Sequence, residues 1–205
     1  STGIGSIDIV GSFNNTCGFS VVSWTGTEAN ATVKHGLSSA PKVIFIKCRD
    51  TDSRSWVVYH DSIGNTKHLT LNETDAEADS DASFNDTSPT TSVFSLGSSN
   101  NANASGTMIA FCFAEKQGYS KFGSYTGNGD NDGTYVHLGF KPAFVMTKSS
   151  ATTSNWEIKD NKRLGYNTVD TYIKANAGAA EDTGVASHAM DFLSNGFKHR
   201  GNNDE

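Results

Sequence analysis

The sequence has few charged residues and no long apolar run, and these two absences exclude whole classes of function. Charged residues make up 19 % of the 205 residues and the net charge is −6, so no basic cluster is present to displace the counterions of a nucleic acid. The longest apolar run covers residues 108–114, far short of the roughly 20 residues that a membrane-spanning helix needs. We therefore expect no nucleic-acid partner and no membrane insertion.

The polar residues are mostly Ser, Thr, Asn and Gly, a mixture that favours turns and strands over helix. Short apolar runs bounded by Gly, Asn, Asp or Ser recur along the chain and predict seven short strands in each half. In the first half these are 6–13, 19–24, 31–35, 42–48, 56–60, 67–71 and 92–96. In the second half they are 107–114, 121–125, 134–138, 143–148, 156–159, 171–175 and 191–198. The predicted fold class is all-β, of the β-sandwich or jelly-roll type.

The two halves of the chain resemble each other at a fixed offset. Pro41 and Pro142 are 101 positions apart, and an apolar run that ends in lysine follows each of them. The matched segments are 22–26 with 123–127, and 41–47 with 142–148. A period of this length suits one small domain per copy. The sequence therefore predicts a tandem duplication, with a first β-sandwich repeat over residues 1–101 and a second over residues 102–205.

The chain has only three cysteines, which cannot all pair with one another. At the repeat offset, Cys48 faces Ser149 and Cys112 faces Gly11, whereas a disulfide framework would be expected to duplicate with its domain. Cys48 and Cys112 are therefore predicted to be small core or near-core residues. A link through Cys17 stays open, and so does the redox compartment.

Residues 6–13 are the counterpart of residues 107–114 but are much less apolar. Strand alternation places Ile7, Ile9 and Phe13 on one face, which is typical of a half-buried or edge strand. Residues 107–114 are apolar nearly throughout, so we expect that strand to be buried on both faces.

The phase of the repeat gives this first strand a possible role in assembly. If residues 107–114 complete the first repeat, the second repeat lacks its closing strand and residues 6–13 are left over. The open edge and the left-over strand both find a partner if each molecule gives its N-terminal strand to the next. Such a head-to-tail contact yields a ring or a helical filament. In the alternative, the strand pairs within its own chain and leaves no open edge. The candidate assembly residues are Ile7, Ile9, Val10 and Phe13.

Residues 128–133 resemble the start of a calcium-binding loop, with Asp130 and Asp132 as candidate ligands. The distal glutamate of such a loop is missing, and a plain hairpin turn accounts for the same residues. The six histidines are scattered without metal-ligand spacing. No pair of carboxylates is singled out for hydrolysis. We therefore expect no metal, no cofactor and no enzymatic activity.

Four motifs, at residues 92–97, 118–127, 139–145 and 191–198, resemble a domain of unknown function found in large phage tail-fibre and other virion-associated proteins. The resemblance covers most of the chain from Cys17 onward. It implies an extracellular or virion-surface location and a structural or attachment role, and it supplies no catalytic residues. In that family we expect a further apolar strand after the position of Glu205.

The leading hypothesis is a non-enzymatic structural subunit of an extracellular fibre or virion appendage that assembles head-to-tail with copies of itself. The alternative is a carbohydrate- or receptor-binding module of a phage tail fibre that recognises a cell-surface glycan. Tyr119, Tyr125 and Tyr135 lie near Gly-rich turns and could stack on sugars, although packing inside the sandwich is the favoured explanation for them.

Overall fold

The chain is mostly β-structure in its computed structural model, which describes residues 3–202. Strands account for 34 % of the residues and helices for 7 %, and the sheets are antiparallel, so the predicted all-β class is confirmed. The chain forms two compact units. The first consists of the chain up to Leu71 together with Glu77–Gly123, and the second of Asn72–Ala76 together with the chain from Ser124 onward.

The compact units do not end where the predicted repeats do. The first unit extends to Gly123, whereas the first predicted repeat ends at residue 101, because the strand Thr107–Phe113 belongs to the sheet of the first unit. The division into repeats 1–101 and 102–205 comes from matching the two half-sequences, and it stays a prediction.

The first unit has one long sheet and one strand pair. Its strands are β1 (Val10–Asn14), β2 (Phe19–Thr25), β3 (Ala31–Lys34), β4 (Val43–Cys48), β5 (Val57–His60), β6 (Lys67–Thr70), β7 (Ala78–Asp79), β8 (Val93–Leu96) and β9 (Thr107–Phe113). Its helices are α1 (Asp81–Phe84), α2 (Asn100–Asn103) and a 3-10 turn (Asp61–Ile63). The long sheet has the order β1-β2-β9-β4-β5-β6-β7, and β3 pairs with β8.

Strand β9 lies in the centre of the long sheet, between β2 and β4. One of its faces is fully buried, through Met108, Ala110 and Cys112. The opposite face is only half-buried, so the expectation of burial on both faces is wrong for that face. Its cover comes from aromatic neighbours in the same sheet, since the Phe113 ring lies 4.9 Å from the ring of Phe19 and 5.8 Å from that of Phe45.

The core of the first unit joins the long sheet to the strand pair. Trp24 of β2 meets Phe94 of β8 edge to face, with ring centroids 5.9 Å apart. Tyr59 of β5 meets Phe84 of α1 in the same way at 5.4 Å. These contacts bury large aromatic surfaces in a geometry that aromatic pairs prefer.

The three cysteines are free thiols. Cys48 and Cys112 belong to the core of the first unit, as predicted, and Cys17 is half-buried. Burial raises the pKa of the Cys112 thiol to about 12, although a hydrogen bond with Ser20 acts in the opposite direction. Cys112 therefore stays protonated at neutral pH.

The first strand begins later than predicted and pairs within its own chain. β1 covers Val10–Asn14 rather than residues 6–13, and it runs antiparallel to β2, with Val10 opposite Ser23. Before it, the backbone amides of Ser6 and Ile7 both donate to the carbonyl of Thr32, at 2.9 and 3.3 Å. A single chain thus adopts the self-paired arrangement.

The second unit contains two three-stranded sheets over a smaller core. Its strands are β10 (Tyr135–His137), β11 (Phe144–Thr147), β12 (Glu157–Asp160), β13 (Ile173–Lys174), β14 (Met190–Leu193) and β15 (Gly196–His199), with a 3-10 turn at Ala186–His188. The sheet orders are β10-β15-β14 and β11-β12-β13. The buried apolar residues of this core are Val145, Val169, Met190, Phe192 and Phe197.

Two strand predictions fail in this part of the chain. Residues 121–125 form no strand in the structure, whereas their counterpart β2 is paired on both sides, by β1 and β9. Residues 191–198 are not one strand: they divide between β14 and β15, which pair antiparallel around a turn at Ser194 and Asn195.

Candidate assembly site and a buried ion cluster

The N-terminal segment, residues 6–13, is held on the first unit by the pairing of β1 with β2 and by the hydrogen bonds of Ser6 and Ile7 to Thr32. Ile7 and Ile9 are half-buried against the core, as expected from their shared face. Val10 and Phe13 remain 79 % and 42 % exposed. A cleft of about 470 Å³ is lined by this segment and by Lys34 of β3. Two of the four candidate assembly residues therefore pack against the unit, and the other two present apolar surface to solvent.

Strand β4 of the first unit is paired along both edges. Ile44 lies opposite Tyr59 of β5 on one side and opposite Cys112 of β9 on the other. The backbone hydrogen-bonding groups of β4 are thus shared between two neighbouring strands, as in the interior of any sheet.

Strand β11 of the second unit is paired along one edge only. It contains the sequence counterpart of β4, and it lies antiparallel to β12, with Val145 opposite Lys159. No strand in residues 3–202 pairs with its other edge, because β11 is the end strand of its sheet. Phe144, at the start of the strand, is 58 % exposed, while Thr147 at its end is buried. An edge strand with free backbone groups and exposed apolar side chains is a template for another strand.

A buried ion cluster lies on the inner face of the β11-β12-β13 sheet. The carboxylate of Glu157 accepts a 2.5 Å hydrogen bond from the ammonium of Lys159, and both side chains are almost fully buried. The imidazole of His188 donates to the other carboxylate oxygen of Glu157. The ring of Tyr172 stacks on His188 with centroids 4.8 Å apart and lies 4.9 Å from the Lys159 nitrogen.

These partners determine the charge state of Glu157. Burial alone would raise the pKa of its carboxyl, but the hydrogen bond from His188 and the charge of Lys159 outweigh that effect, so the pKa is lowered. The ionised carboxylate is thus the stable form in the folded unit. Every charged or aromatic member of the cluster contacts another member, so we interpret the cluster as part of the core of this unit.

This cluster was not predicted from the sequence. Counting from the matched residues Trp56 and Trp156, Glu157 stands where the first unit has Val57, and Lys159 stands where it has Tyr59. That comparison was the available signal, because it places charged side chains at positions that are core positions in the other half.

The candidate calcium ligands are engaged by protein groups. The Asp130 carboxylate accepts a 2.8 Å hydrogen bond from the Asp132 amide, which is typical of an Asx turn. The Asp132 carboxylate pairs with Lys198 at 2.5 Å and with Arg200 at 3.5 Å. Within the described part of the chain, no group of three or more His, Cys, Asp or Glu side chains is placed to hold a metal ion.

The three candidate sugar-stacking tyrosines differ in exposure. Tyr125 packs against the core of the second unit, 6.2 Å from Phe197, so its ring is not available for stacking. Tyr119 is 65 % exposed and Tyr135 is 42 % exposed. The Tyr135 hydroxyl donates a 2.7 Å hydrogen bond to the Asn195 side chain, which fixes the orientation of that ring.

Comparison with known proteins places the chain in a family. None of the helices in residues 3–202 is long and apolar enough to span a membrane. No curated protein gives a significant match to the chain, and no solved structure does. A family model described as a domain of unknown function, DUF7483, matches residues 1–205, and the chain therefore belongs to this family.

Proposed function

We propose that the chain is a non-enzymatic structural subunit of an extracellular fibre or virion appendage, and that its copies assemble head-to-tail. The observation that carries the proposal is the unpaired edge of β11, whose counterpart β4 is paired on both sides. A head-to-tail contact joins two different surfaces, here the edge of β11 in one copy and a segment elsewhere in the next, so it does not close on itself in a pair and builds rings or filaments.

The proposal includes a tandem duplication of two sandwich-like units. It is supported by the pairing pattern, since the antiparallel order β4-β5-β6 is repeated by β11-β12-β13. The pair β3-β8 is likewise repeated by β10-β15. In both cases the strands lie at corresponding places of the two matched half-sequences. In this interpretation the second unit, within residues 3–202, repeats the first without an equivalent of β2 or β9.

The location is proposed from the four sequence motifs that resemble a domain of phage tail-fibre and virion-associated proteins. Low charge and a predominance of Ser, Thr, Asn and Gly are compatible with a rigid extracellular β-protein. The buried ion cluster does not argue for catalysis, because its charged groups are satisfied by one another.

Electron microscopy and sedimentation velocity over a concentration series test the assembly. We expect the full chain to form filaments or rings whose share increases with concentration, and a variant lacking residues 1–13 to remain monomeric. Tyr166→Ala is the matched control, because it also removes exposed apolar surface but lies outside the N-terminal segment, and it should assemble like the full chain. A full chain that stays monomeric at millimolar concentration contradicts the proposal.

A glycan- or receptor-binding module is the second candidate, favoured by exposed aromatic rings. Tyr166 is 69 % exposed and Tyr119 is 65 % exposed, and rings of this kind stack on sugars. Binding on a glycan array that is lost in Tyr166→Ala or Tyr119→Ala would favour this candidate. An array without a ligand would count against it.

A further inference from the structure

We infer that the open edge of β11 accepts residues 6–13 of a second copy, antiparallel and in the register in which β9 meets β4. The inference deepens the proposed function and depends on it, because it names the strand and the pairing that join two copies. The occupant follows from the repeat: at the offset of 101, residues 6–13 are the counterpart of residues 107–114, which include β9.

The observed pairing of β9 with β4 fixes the register. Phe113 lies opposite Val43, and Phe111 lies opposite Phe45. Shifting each residue by the offset places Ser12 of one copy opposite Phe144 of the other. By the same shift, Val10 comes to lie opposite Met146.

One inward-facing pair of this register keeps its combined size, whereas Val145 opposite Gly11 is smaller than Ile44 opposite Cys112 of the first unit. In the first unit, the large Ile46 lies opposite the small Ala110. In the inferred contact, the small Thr147 lies opposite the large Ile9. The large residue is thus on the donor strand instead of the acceptor strand, and the combined volume of the pair is similar. Cores tolerate exchanges that keep the total volume.

The charges along the register are complementary as well. Lys148 of the acceptor comes to lie opposite Asp8 of the donor, where the first unit has Lys47 opposite Ile109. Opposite charges across a pair of antiparallel strands are favourable, and they disfavour a register in which like charges meet.

On leaving its own chain, the donor segment gives up the pairing of β1 with β2 and the hydrogen bonds of Ser6 and Ile7 to Thr32, but little side-chain burial on β1. All five residues of β1 are exposed where they pair with β2, so side-chain burial there is small. Ile7 and Ile9 leave half-buried positions beside the cleft and become inward-facing residues of the acceptor sheet. After the exchange β2 becomes the end strand of the long sheet.

Disulfide trapping between two variants tests the register. All variants carry Cys17→Ser, which removes the half-buried thiol and leaves the two buried ones. Ser12→Cys and Phe144→Cys, both at exposed positions, are introduced into separate molecules, which are mixed and oxidised. A second pair is Val10→Cys with Met146→Cys. The matched control is Asp8→Cys with Phe144→Cys, which the register places four residues apart, beyond the reach of a disulfide.

We expect both register pairs to yield cross-linked dimers on a non-reducing gel, at least tenfold more than the control pair. Equal or greater cross-linking of the control pair overturns the inferred register. Circular dichroism of each variant verifies that the fold is retained. If one register pair contains a variant that does not fold, the other register pair carries the test.

Electron microscopy of the same samples separates this inference from the proposed function. Filaments without cross-linking of the register pairs leave head-to-tail assembly standing and overturn donation of residues 6–13. In that case another strand occupies the edge of β11. The absence of both filaments and cross-links overturns the inference and the proposed function together.

Discussion

Glu157 and Lys159 form a buried ion pair, 2.5 Å long, at two positions where the first unit has Val57 and Tyr59. The same strand slot is therefore apolar in one unit and ionic in the other. A buried ion pair offsets a large desolvation penalty only while both partners are present. This relationship makes the stability of the second unit sensitive to single changes and tolerant of a paired one.

Removing one partner of the pair is expected to destabilise the second unit strongly. Glu157→Gln or Lys159→Met leaves an uncompensated buried charge, and each should lower the free energy of unfolding by about 3–5 kcal/mol. The double variant Glu157→Val with Lys159→Tyr, which copies the first unit, should be neutral or stabilising by about 1–4 kcal/mol. Urea unfolding followed by fluorescence measures all three. A double variant that is weaker than either single variant would contradict the comparison between the units.

Acid should weaken the second unit through Glu157. Its folded pKa lies below its ordinary value of 4.5, so the folded state binds the proton less tightly than the unfolded state does. The resulting stabilisation is full above that ordinary value and is lost as the pH falls through the lowered folded pKa. The difference in urea midpoint between the natural chain and Glu157→Gln should shrink steadily below pH 4.5. A constant difference down to pH 3 would refute this linkage.

Thiol labelling should distinguish the cysteines by burial. Cys48 and Cys112 are fully buried, and the pKa of Cys112 is raised to about 12, so neither should react in the folded chain at neutral pH. Cys17 is half-buried and should react with a maleimide on its own. Mass spectrometry is expected to find one label on the native chain and three after unfolding in urea. Labelling of the native Cys17→Ser variant would show that the first unit opens locally.

Substitution by alanine should lower the stability of the chain at Gly26 but not at Gly123. A Cβ at Gly26 would lie 1.9 Å from the carbonyl oxygen of Ala104, so Gly26→Ala forces the backbone apart and should cost about 1–3 kcal/mol. Gly123 has nothing within 4 Å of the same position, and Gly123→Ala should change stability by less than about 0.5 kcal/mol. Thermal unfolding of the two variants provides the comparison, and equal midpoints would contradict it.

Strand composition and repeat matching predicted the class of the fold and several strands, but not their neighbours. The strand predicted at 191–198 is a hairpin, and the Asn195-Gly196 dipeptide was an available turn signal. Residues 121–125 were predicted to be a strand because they match β2, but they form none. A strand needs neighbouring strands to pair with, and the local sequence does not show whether they are present.

The buried ion cluster could not be predicted from the pattern of β12 alone, because its members come from different parts of the chain. Alternating charged residues on β12 are typical of a solvent-exposed face, and only the comparison with the buried Val57 and Tyr59 of the first half indicated otherwise. The partner His188 is distant in sequence and no local pattern predicts its contact with Glu157.

The central place of β9 has a consequence for the order in which the first unit folds. β2 and β4 are early in the chain, yet the strand that joins them begins only at Thr107. During synthesis, the β1-β2 hairpin and the β4-β5-β6 meander therefore emerge as separate pieces with unpaired edges, and contacts of such long sequence separation form slowly. Until β9 leaves the ribosome, the facing edges of β2 and β4 are open to pairing with a neighbouring nascent chain.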